Sequence, residues 1–334
     1  MTETRFDALI PDEEAAINYF FNIRFPDGLY CLKCGAKSRV YRYQNRPKIC
    51  RCKNCDNTFS IFKDTIFEKS KSPIREWFRV MRRFINDMYG FTSMSLHRDQ
   101  GMTKKAAWRR LMQFRIAMAN EEEPEIFSGT VEADETFVGG KGQRYPKSRS
   151  TGLYLPKEKR KKGRGTDNTA VFGIKERDSR HVHAQVMPHE SSVKGREKRL
   201  SGPQLEAMID ESCEKGITVM SDDYKGYIHL DKEERVQLWL LDDEEPPPRY
   251  KHHTVNHKAK RFTAGTTKDG EVIHTNGIEG FWSLLKGTFD TYRKTPDPKY
   301  MQRYIDEVCF RQNTLTIRGT QEEFDLLLKQ CVLV

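Results

Sequence analysis

Five of the eight cysteines fall within 25 residues, and their spacing is typical of a metal site. Cys31 and Cys34 form one C-x-x-C pair, and Cys52 and Cys55 form a second, with 17 residues between the pairs. Tetrahedral zinc takes four thiolates at this kind of spacing, and two tight turns supply them without a large core. Cys50 could replace Cys52, but the C-x-x-C spacing favours Cys52. The sequence therefore predicts a structural Zn²⁺ site, which has no open coordination position for catalysis.

Three acidic residues lie where predicted strands and helices begin or end: Asp134 in VEADETF, Asp222 in VMSDDY and Glu279 in HTNGIEGFWSLLK. Each alone is explained as a turn or capping residue. Together they predict a cation site, because a carboxylate on a buried strand is costly unless it binds a cation, and Mg²⁺ prefers oxygen ligands. Two such ions can activate a water or a 3′ hydroxyl and stabilise the leaving oxygen at a phosphodiester.

The neighbours of these acids leave alternatives open. Glu132 shares a strand face with Asp134, while Glu135 lies on the other face, and composition does not choose between Asp222 and Asp223. In the predicted helix that carries Glu279, Lys286 follows Glu279 by seven residues, or two helical turns. Lys286 could therefore hold a phosphate beside the metal-binding carboxylate; the alternative is a loose surface charge pattern.

The positive charge is concentrated in the first third of the chain. The whole chain carries 58 Lys and Arg against 48 Asp and Glu, and residues 1–120 hold 23 against 12, which leaves 35 against 36 for the remainder. A polyanion bound by the first third would explain this distribution, because Lys and Arg displace counterions from phosphates. No apolar run has the roughly 20 residues needed to cross a bilayer, and the first residues do not have the order of a signal peptide. We therefore expect no membrane partner.

The elements that must position these residues follow from periodicity and capping residues. A helix in EEAAINYFFNIRF precedes the cysteines, and Ser72 with Pro73 begins another, whose apolar stripe includes Trp77 and Met88. Two short helices broken at Gly101 follow, the second capped by Thr103, as in a helix-turn-helix. Its basic side chains are candidates for DNA contact. An ordinary basic helix face explains the segment about as well when it is taken alone, but the zinc ribbon beside it and the local charge excess favour DNA. These side chains are Lys104, Lys105, Arg109 and Arg110.

The pattern then changes to strands alternating with helices, which predicts a multidomain α+β chain. Three strands, in GTVEADETFVGG, NTAVFGIKER and HVHAQVMP, are followed by the helix SGPQLEAMIDESCEKG and the strand GITVMSDDY. VQLWL is a further possible strand, and two helices follow in HTNGIEGFWSLLKGTF and PKYMQRYIDEVCFRQN. The predicted domains are 1–70 (helix and zinc ribbon), 71–120 (helix-turn-helix bundle) and 126–334 (the α/β domain), with a linker at 121–125 and a basic insertion at about 141–168.

The order of these motifs resembles the Merlin-type transposases and their insertion-sequence relatives of the ISXO type. The resemblance runs from CLKCG and CRCKNC through TKKAAWRRLMQFRIAM, VEADETFVGGK, SDDYKGY and VNHKAKRF to HTNGIEGFWSLLKG. It implies a ribonuclease-H-like catalytic domain with the acids Asp134, Asp222 and Glu279, bound Mg²⁺ or Mn²⁺, and Lys286 as the trailing lysine. It favours Asp222 over Asp223. Some family members carry Asn for the last acid, so Asn276 competes with Glu279, which we retain because a carboxylate binds a divalent cation better than an amide does.

The resemblance also implies an enzyme that binds terminal inverted repeats in double-stranded DNA, cleaves them with water and transfers the freed 3′ hydroxyl to target DNA. It would act as a homo-oligomer on paired ends, in the cytoplasm or nucleoid of a prokaryote or the nucleus of a eukaryote. The segment from His252 to His257 matches a family signature without a defined role, and two alternatives stay open for His252, His253, His257 and His274: contact with DNA or simple packing. The alternative is a non-catalytic, domesticated DNA-binding protein, which the three acids argue against. A zinc-ribbon transcription component would leave residues 125–334 unexplained.

Overall fold

The computed structural model describes residues 1–87, 91–120, 126–139, 150–151, 168–187, 202–231, 249–255, 263, 265–292 and 295–332. The chain divides into two compact units, Met1–Glu123 with Thr314–Val334, and Pro124–Asn313. Several predicted features lie outside the described residues: Met88, the linker, most of the basic insertion, the VQLWL strand and His257.

The first unit opens with two helices and a small antiparallel sheet. Helices α1 and α2 span Glu3–Leu9 and Glu13–Arg24, and strands β1, β2 and β3 span Val40–Arg42, Ile49–Cys52 and Thr58–Ser60. The strands pair in the order β1-β2-β3. The predicted helix before the cysteines is confirmed as α2, whereas α1 was not predicted. Three strands of three or four residues bury little apolar surface of their own. The sheet also packs against α2, where the Arg42 guanidinium of β1 lies 4.6 Å from the centre of the Phe21 ring.

Three helices follow: α3 (Ile74–Asn86), α4 (Ser93–Gln100) and α5 (Lys104–Met118). The turn between α4 and α5 is as predicted, because Gly101 adopts φ 66° and the Thr103 hydroxyl accepts the Ala106 amide. The predicted cap of α3 is wrong. Pro73 occupies the N-cap and Ser72 lies outside the helix, while the Glu13 carboxylate accepts the amides of the first two helical residues, each at 3.0 Å.

The second unit is built on a five-stranded mixed sheet. Its strands are β4 (Thr130–Val138), β5 (Thr169–Glu176), β6 (Val182–Val186), β7 (Thr218–Asp222) and β8 (Lys251–Val255), and its helices are α6 (Gly202–Ser212), α7 (Asn276–Thr291) and α8 (Pro298–Asn313). The strand order is β6-β5-β4-β7-β8, with β5 antiparallel to β4 and to β6, and with β7 parallel to β4 and to β8. This is the strand order of a ribonuclease-H-like domain, so the predicted fold is confirmed.

The two faces of this sheet bury different helices. Alternate residues of β4 point to opposite faces. Val131 and Ala133 pack in one core with Leu205 and Ile209 of α6. Val138 on the other face packs in a second core with α7 and α8. The even-numbered residues of β4, Asp134 among them, therefore face α7.

The last helix, α9 (Gln321–Gln330), belongs to the first unit. The predicted domain boundary, which placed residues 126–334 together, is wrong at this end. Phe324 is fully buried, with its ring 6.3 Å from that of Phe6 and 5.7 Å from that of Phe78. The apolar face of α9 thus completes the core of the N-terminal helices, which the order of residues along the chain does not reveal.

Candidate functional site

The four cysteines of the two C-x-x-C pairs come together in the first unit. The sulfurs of Cys31, Cys34, Cys52 and Cys55 all lie within 4.8 Å of one another. Cys31 Sγ is 3.6 Å from Cys55 Sγ, and Cys34 Sγ is 3.8 Å from Cys52 Sγ. A tetrahedron with Zn–S bonds of about 2.3 Å has edges of about 3.8 Å. The donor set therefore fits zinc, and the four predicted ligands lie in one cluster.

The fifth nearby cysteine is outside this cluster. Cys50 is fully buried, and burial raises the pKa of its thiol to about 11. The sulfur of Cys52 lies in the four-cysteine cluster and that of Cys50 does not. The geometry thus favours Cys52 rather than Cys50 as a ligand.

In the second unit, the parallel pairing of β4 and β7 brings two predicted acids side by side. Thr130, Val131 and Glu132 pair with residues 218–220 of β7. Continuing this register by two residues places Asp134 beside Asp222. Their carboxylates and that of Glu135 offer oxygens within 4.8 Å of one another. Residues that are 88 positions apart in the chain thus meet at the centre of the sheet.

Glu135 was not predicted as part of this cluster. Its side chain is 8% exposed, and its Oε2 accepts a hydrogen bond of 2.9 Å from the Tyr227 hydroxyl. The only sequence feature that could have indicated it is its position directly after Asp134, because strand alternation puts the two on opposite faces. Three carboxylates this close repel one another unless a cation lies between them, and two oxygens on opposite sides of Mg²⁺ are about 4.2 Å apart. The oxygen donors therefore fit a divalent ion.

Asp134 is held in place from α7. Its Oδ2 accepts a hydrogen bond of 2.9 Å from the indole Nε1 of Trp282. The indole can come this close because Gly173, the β5 residue opposite Asp134, has no side chain. A Cβ on Gly173 would lie 2.6 Å from the Trp282 ring. No local sequence pattern identifies Trp282 as a partner of Asp134, because the contact depends on how α7 packs against the sheet.

Glu279 lies in the first turn of α7, three residues before Trp282. Its carboxylate is not within the Asp134–Glu135–Asp222 cluster, and its Oε1 accepts a hydrogen bond of 3.4 Å from the Thr275 hydroxyl. The structure therefore brings the carboxylates of two of the three predicted acids within 4.8 Å of each other and places the third acid on the adjoining helix. Asn276 is exposed at the start of the same turn, and Lys286 is exposed two turns later.

The four basic residues predicted to contact DNA from α5 do not share one surface. Lys104, Lys105 and Arg109 are exposed. Arg110 is 8% exposed, its guanidinium lies 4.7 Å from the centre of the Trp77 ring, and its Nη2 donates to the Ser72 hydroxyl. The prediction for Arg110 is therefore wrong, because this side chain fixes α5 against α3 and is not available to DNA.

The histidines of β8 are only partly exposed. The Nε2 of His252 is 2.9 Å from the Ser221 hydroxyl, next to Asp222. Burial lowers the pKa of His252 to about 4, so its ring is neutral at pH 7. A neutral, partly buried ring bonded to a strand residue indicates packing rather than a phosphate contact for His252.

The fold and the two clusters define a class of protein: a zinc-ribbon unit joined to a ribonuclease-H-like unit with acids at the centre of its sheet. The family model described as the ISXO2-like transposase domain matches residues 126–239 and 247–313, more than half of the chain. The model described as the Transposase zinc-ribbon domain matches residues 11–58. The chain therefore belongs to the ISXO2-like transposase family.

A curated relative supports this assignment. An uncharacterized protein in transposable element ISH50 of Halobacterium salinarum is 30% identical over 230 residues, which cover 66% of this chain and 71% of the relative. Comparison with solved structures returned no match. Among the helices in the described part of the chain, none combines the length and the apolar character required to cross a bilayer.

Proposed function

We propose that the chain is an active DNA transposase, which binds the terminal inverted repeats of its element, cleaves phosphodiester bonds there and joins the freed 3′ ends to target DNA. The observation that carries the proposal is that Asp134 and Asp222, on neighbouring parallel strands, have carboxylate oxygens within 4.8 Å of each other and of the buried Glu135. Adjacent carboxylates repel one another, so a cation that binds them gives a physical reason for their presence.

Three acids are assigned a part in this proposal. Asp134 and Asp222 would hold the metal ions, and Glu279, in the first turn of α7, would be the third ligand. Mg²⁺ or Mn²⁺ bound there would activate the attacking water or 3′ hydroxyl and stabilise the leaving oxygen. Trp282 keeps the Asp134 carboxylate in one orientation. Lys286 is exposed on α7 and binds a phosphate of the DNA.

Recognition of the ends is assigned to the first unit. Lys104, Lys105 and Arg109 are exposed near the start of α5, directly after the turn at Gly101. This is the part of a helix-turn-helix that enters the major groove. Zinc bound by the cysteine cluster would hold the β1–β3 sheet in its folded form and take no part in catalysis. A homo-oligomer would hold the two ends together for cleavage and joining.

The test separates cleavage from binding. The purified full-length protein is incubated with a duplex carrying one end of its element, in Mg²⁺ or Mn²⁺, and the cut strands are mapped. Asp134→Asn and Asp222→Asn each lower the cleavage rate about 10³-fold or more, equivalent to about 4 kcal/mol, and leave the Kd for the end unchanged. The matched control is Asp223→Asn, because Asp223 is exposed and outside the carboxylate cluster.

The third ligand is decided in the same assay. Glu279→Gln abolishes cleavage and Asn276→Ala does not; the reverse result would assign the site to Asn276. If the wild-type protein binds the end and cuts neither strand under any divalent ion, the non-catalytic DNA-binding alternative replaces the proposal. If Asp223→Asn is as defective as Asp222→Asn, the assignment of the cluster is wrong.

A further inference from the structure

A third acid of β4, Glu132, is buried beside the start of α7. Its side chain is 2% exposed, and it lies two residues before Asp134 on the same face of the strand. Both carboxylate oxygens have polar partners. Oε2 accepts the backbone N–H of Ile278 at 3.0 Å, and Oε1 accepts from Arg177 Nη2 at 3.2 Å and lies 3.1 Å from His274 Nδ1. Because a buried charge is costly unless it is paired, this arrangement requires all of its partners.

Resting on the proposed function, we infer that Glu132 is a positioning residue that holds the first turn of α7, and with it Glu279, in register with Asp134. Glu279 directly follows Ile278, whose amide is bonded to Glu132. Glu132 does not reach the carboxylate cluster itself, so its effect passes through the backbone of α7.

Glu132 takes the place of the missing cap of α7. Thr275 occupies the N-cap position, and its side chain makes no capping hydrogen bond. Ile278 is the third residue of the helix, and its amide is one that an N-cap side chain ordinarily binds. A carboxylate at this end also interacts favourably with the helix dipole. The cap of α7 is therefore supplied by β4, the strand that carries the first catalytic acid.

The helix side of this contact requires a glycine. A Cβ on Gly277 would lie 2.9 Å from Glu132 Oε2, so any larger residue would push the first turn away from the carboxylate. Gly277 thus gives a second way to disturb the contact, from the helix, with every hydrogen-bonding group left intact.

Arg177 fixes the segment that leads into α7. It follows β5, and its Nη1 donates to the Val272 carbonyl at 2.8 Å while its Nη2 donates to the His274 carbonyl at 2.9 Å. The same Nη2 donates to Glu132. The carboxylate, the guanidinium and the residues before the helix thus form one network. A shift of about 1 Å in a catalytic group can cost about 10²-fold in rate, so the network bears directly on Glu279.

The experiment compares Glu132→Gln with Glu206→Gln in the full-length protein. Glu206 is a suitable control because it makes an ion pair of 3.2 Å with Arg249 in the same unit and is 14% exposed, but it lies on α6 rather than at α7. Three quantities are measured: the Kd for the end duplex, the Mg²⁺ concentration that gives half-maximal cleavage, and amide hydrogen exchange in residues 276–283.

We expect Glu132→Gln to raise the Mg²⁺ midpoint and the exchange rate of the first turn of α7 at least tenfold, with an unchanged Kd. Gly277→Ala does the same, and it replaces Glu132→Gln if that variant does not fold. Glu206→Gln changes neither the Mg²⁺ midpoint nor the exchange rate, even if it lowers the melting temperature as much as Glu132→Gln does. Equal Mg²⁺ midpoints and exchange rates in Glu132→Gln and Glu206→Gln would overturn the inference.

The results that would refute the transposase proposal differ from those that would refute the inference about Glu132. A wild-type protein that cuts no DNA refutes the transposase proposal, and the exchange of residues 276–283, which needs no substrate, still decides whether Glu132 holds α7. Cleavage by the wild-type protein that depends on Glu279 but not on Glu132 refutes the inference alone.

Discussion

Replacing Gly173 with alanine tests how closely α7 must approach the sheet. Gly173 pairs directly with Asp134 across β4 and β5. The added Cβ would lie 2.6 and 2.9 Å from two carbons of the Trp282 ring and 3.3 Å from Ile278 Cδ1. Strand β5 is bonded to β4 on one side and β6 on the other, so it cannot retreat. The indole must therefore move, and its hydrogen bond to Asp134 is broken.

The size of the effect follows from these distances. Ordinary carbon–carbon contacts are about 3.5–4.0 Å, so the ring must shift by about 1 Å. Overpacking of this kind costs about 1–3 kcal/mol, and a lost hydrogen bond to a charged group adds about 1.5 kcal/mol or more. A total of about 3 kcal/mol corresponds to a fall in Tm of about 6–12 °C for a unit of this size.

Calorimetry of the full-length protein and the cleavage assay measure the two consequences. We expect Gly173→Ala to lower the Tm of the second unit and to slow cleavage. In Gly173→Ala/Trp282→Phe the smaller ring relieves the clash, so the double variant is more stable than the sum of the single changes predicts, by at least about 1 kcal/mol. A Tm within about 1 °C of wild type for Gly173→Ala, or strictly additive changes in the double variant, would refute the reasoning.

Three further predictions concern the first unit. Cys52→Ser loses bound zinc whereas Cys50→Ser keeps it, as measured by metal analysis of the purified protein; equal zinc contents would contradict the ligand set. Glu13→Gln weakens the acceptor for the first two amides of α3 and lowers the free energy of unfolding by about 1 kcal/mol. Urea denaturation of the full chain measures this change. An unchanged free energy of unfolding would show that the Glu13 cap does not stabilise the protein. Arg110→Ala lowers the Tm and leaves the salt dependence of binding to the end duplex unchanged. Arg109→Ala instead reduces the slope of log binding constant against log salt concentration by about one. The opposite pattern would indicate that Arg110 contacts the DNA.

Much of the architecture could be predicted because its determinants are local. The turn at Gly101 and the cap at Thr103 each depend on residues within one helical turn, and both are as predicted. The alternation of strands and helices likewise predicted β4 to β7 and α6 to α8 in the right order, whereas β8 (Lys251–Val255) was not predicted. Helix α9 was missed, because an amphipathic segment after the last recognised motif does not show which core it completes.

The candidate sites likewise have one part that depends on local sequence and another that depends on tertiary packing. The zinc ligands were predicted from the sequence alone, since each C-x-x-C turn places its two cysteine side chains close together whatever the rest of the fold is. Asp134 and Asp222 were named by sequence and resemblance, but their proximity depends on β7 pairing in parallel with β4. The parts played by Glu132 and Trp282 were decided only by tertiary structure. A side chain's partners across a sheet depend on which helix packs there and how closely, and in this protein two glycines on different elements set that distance.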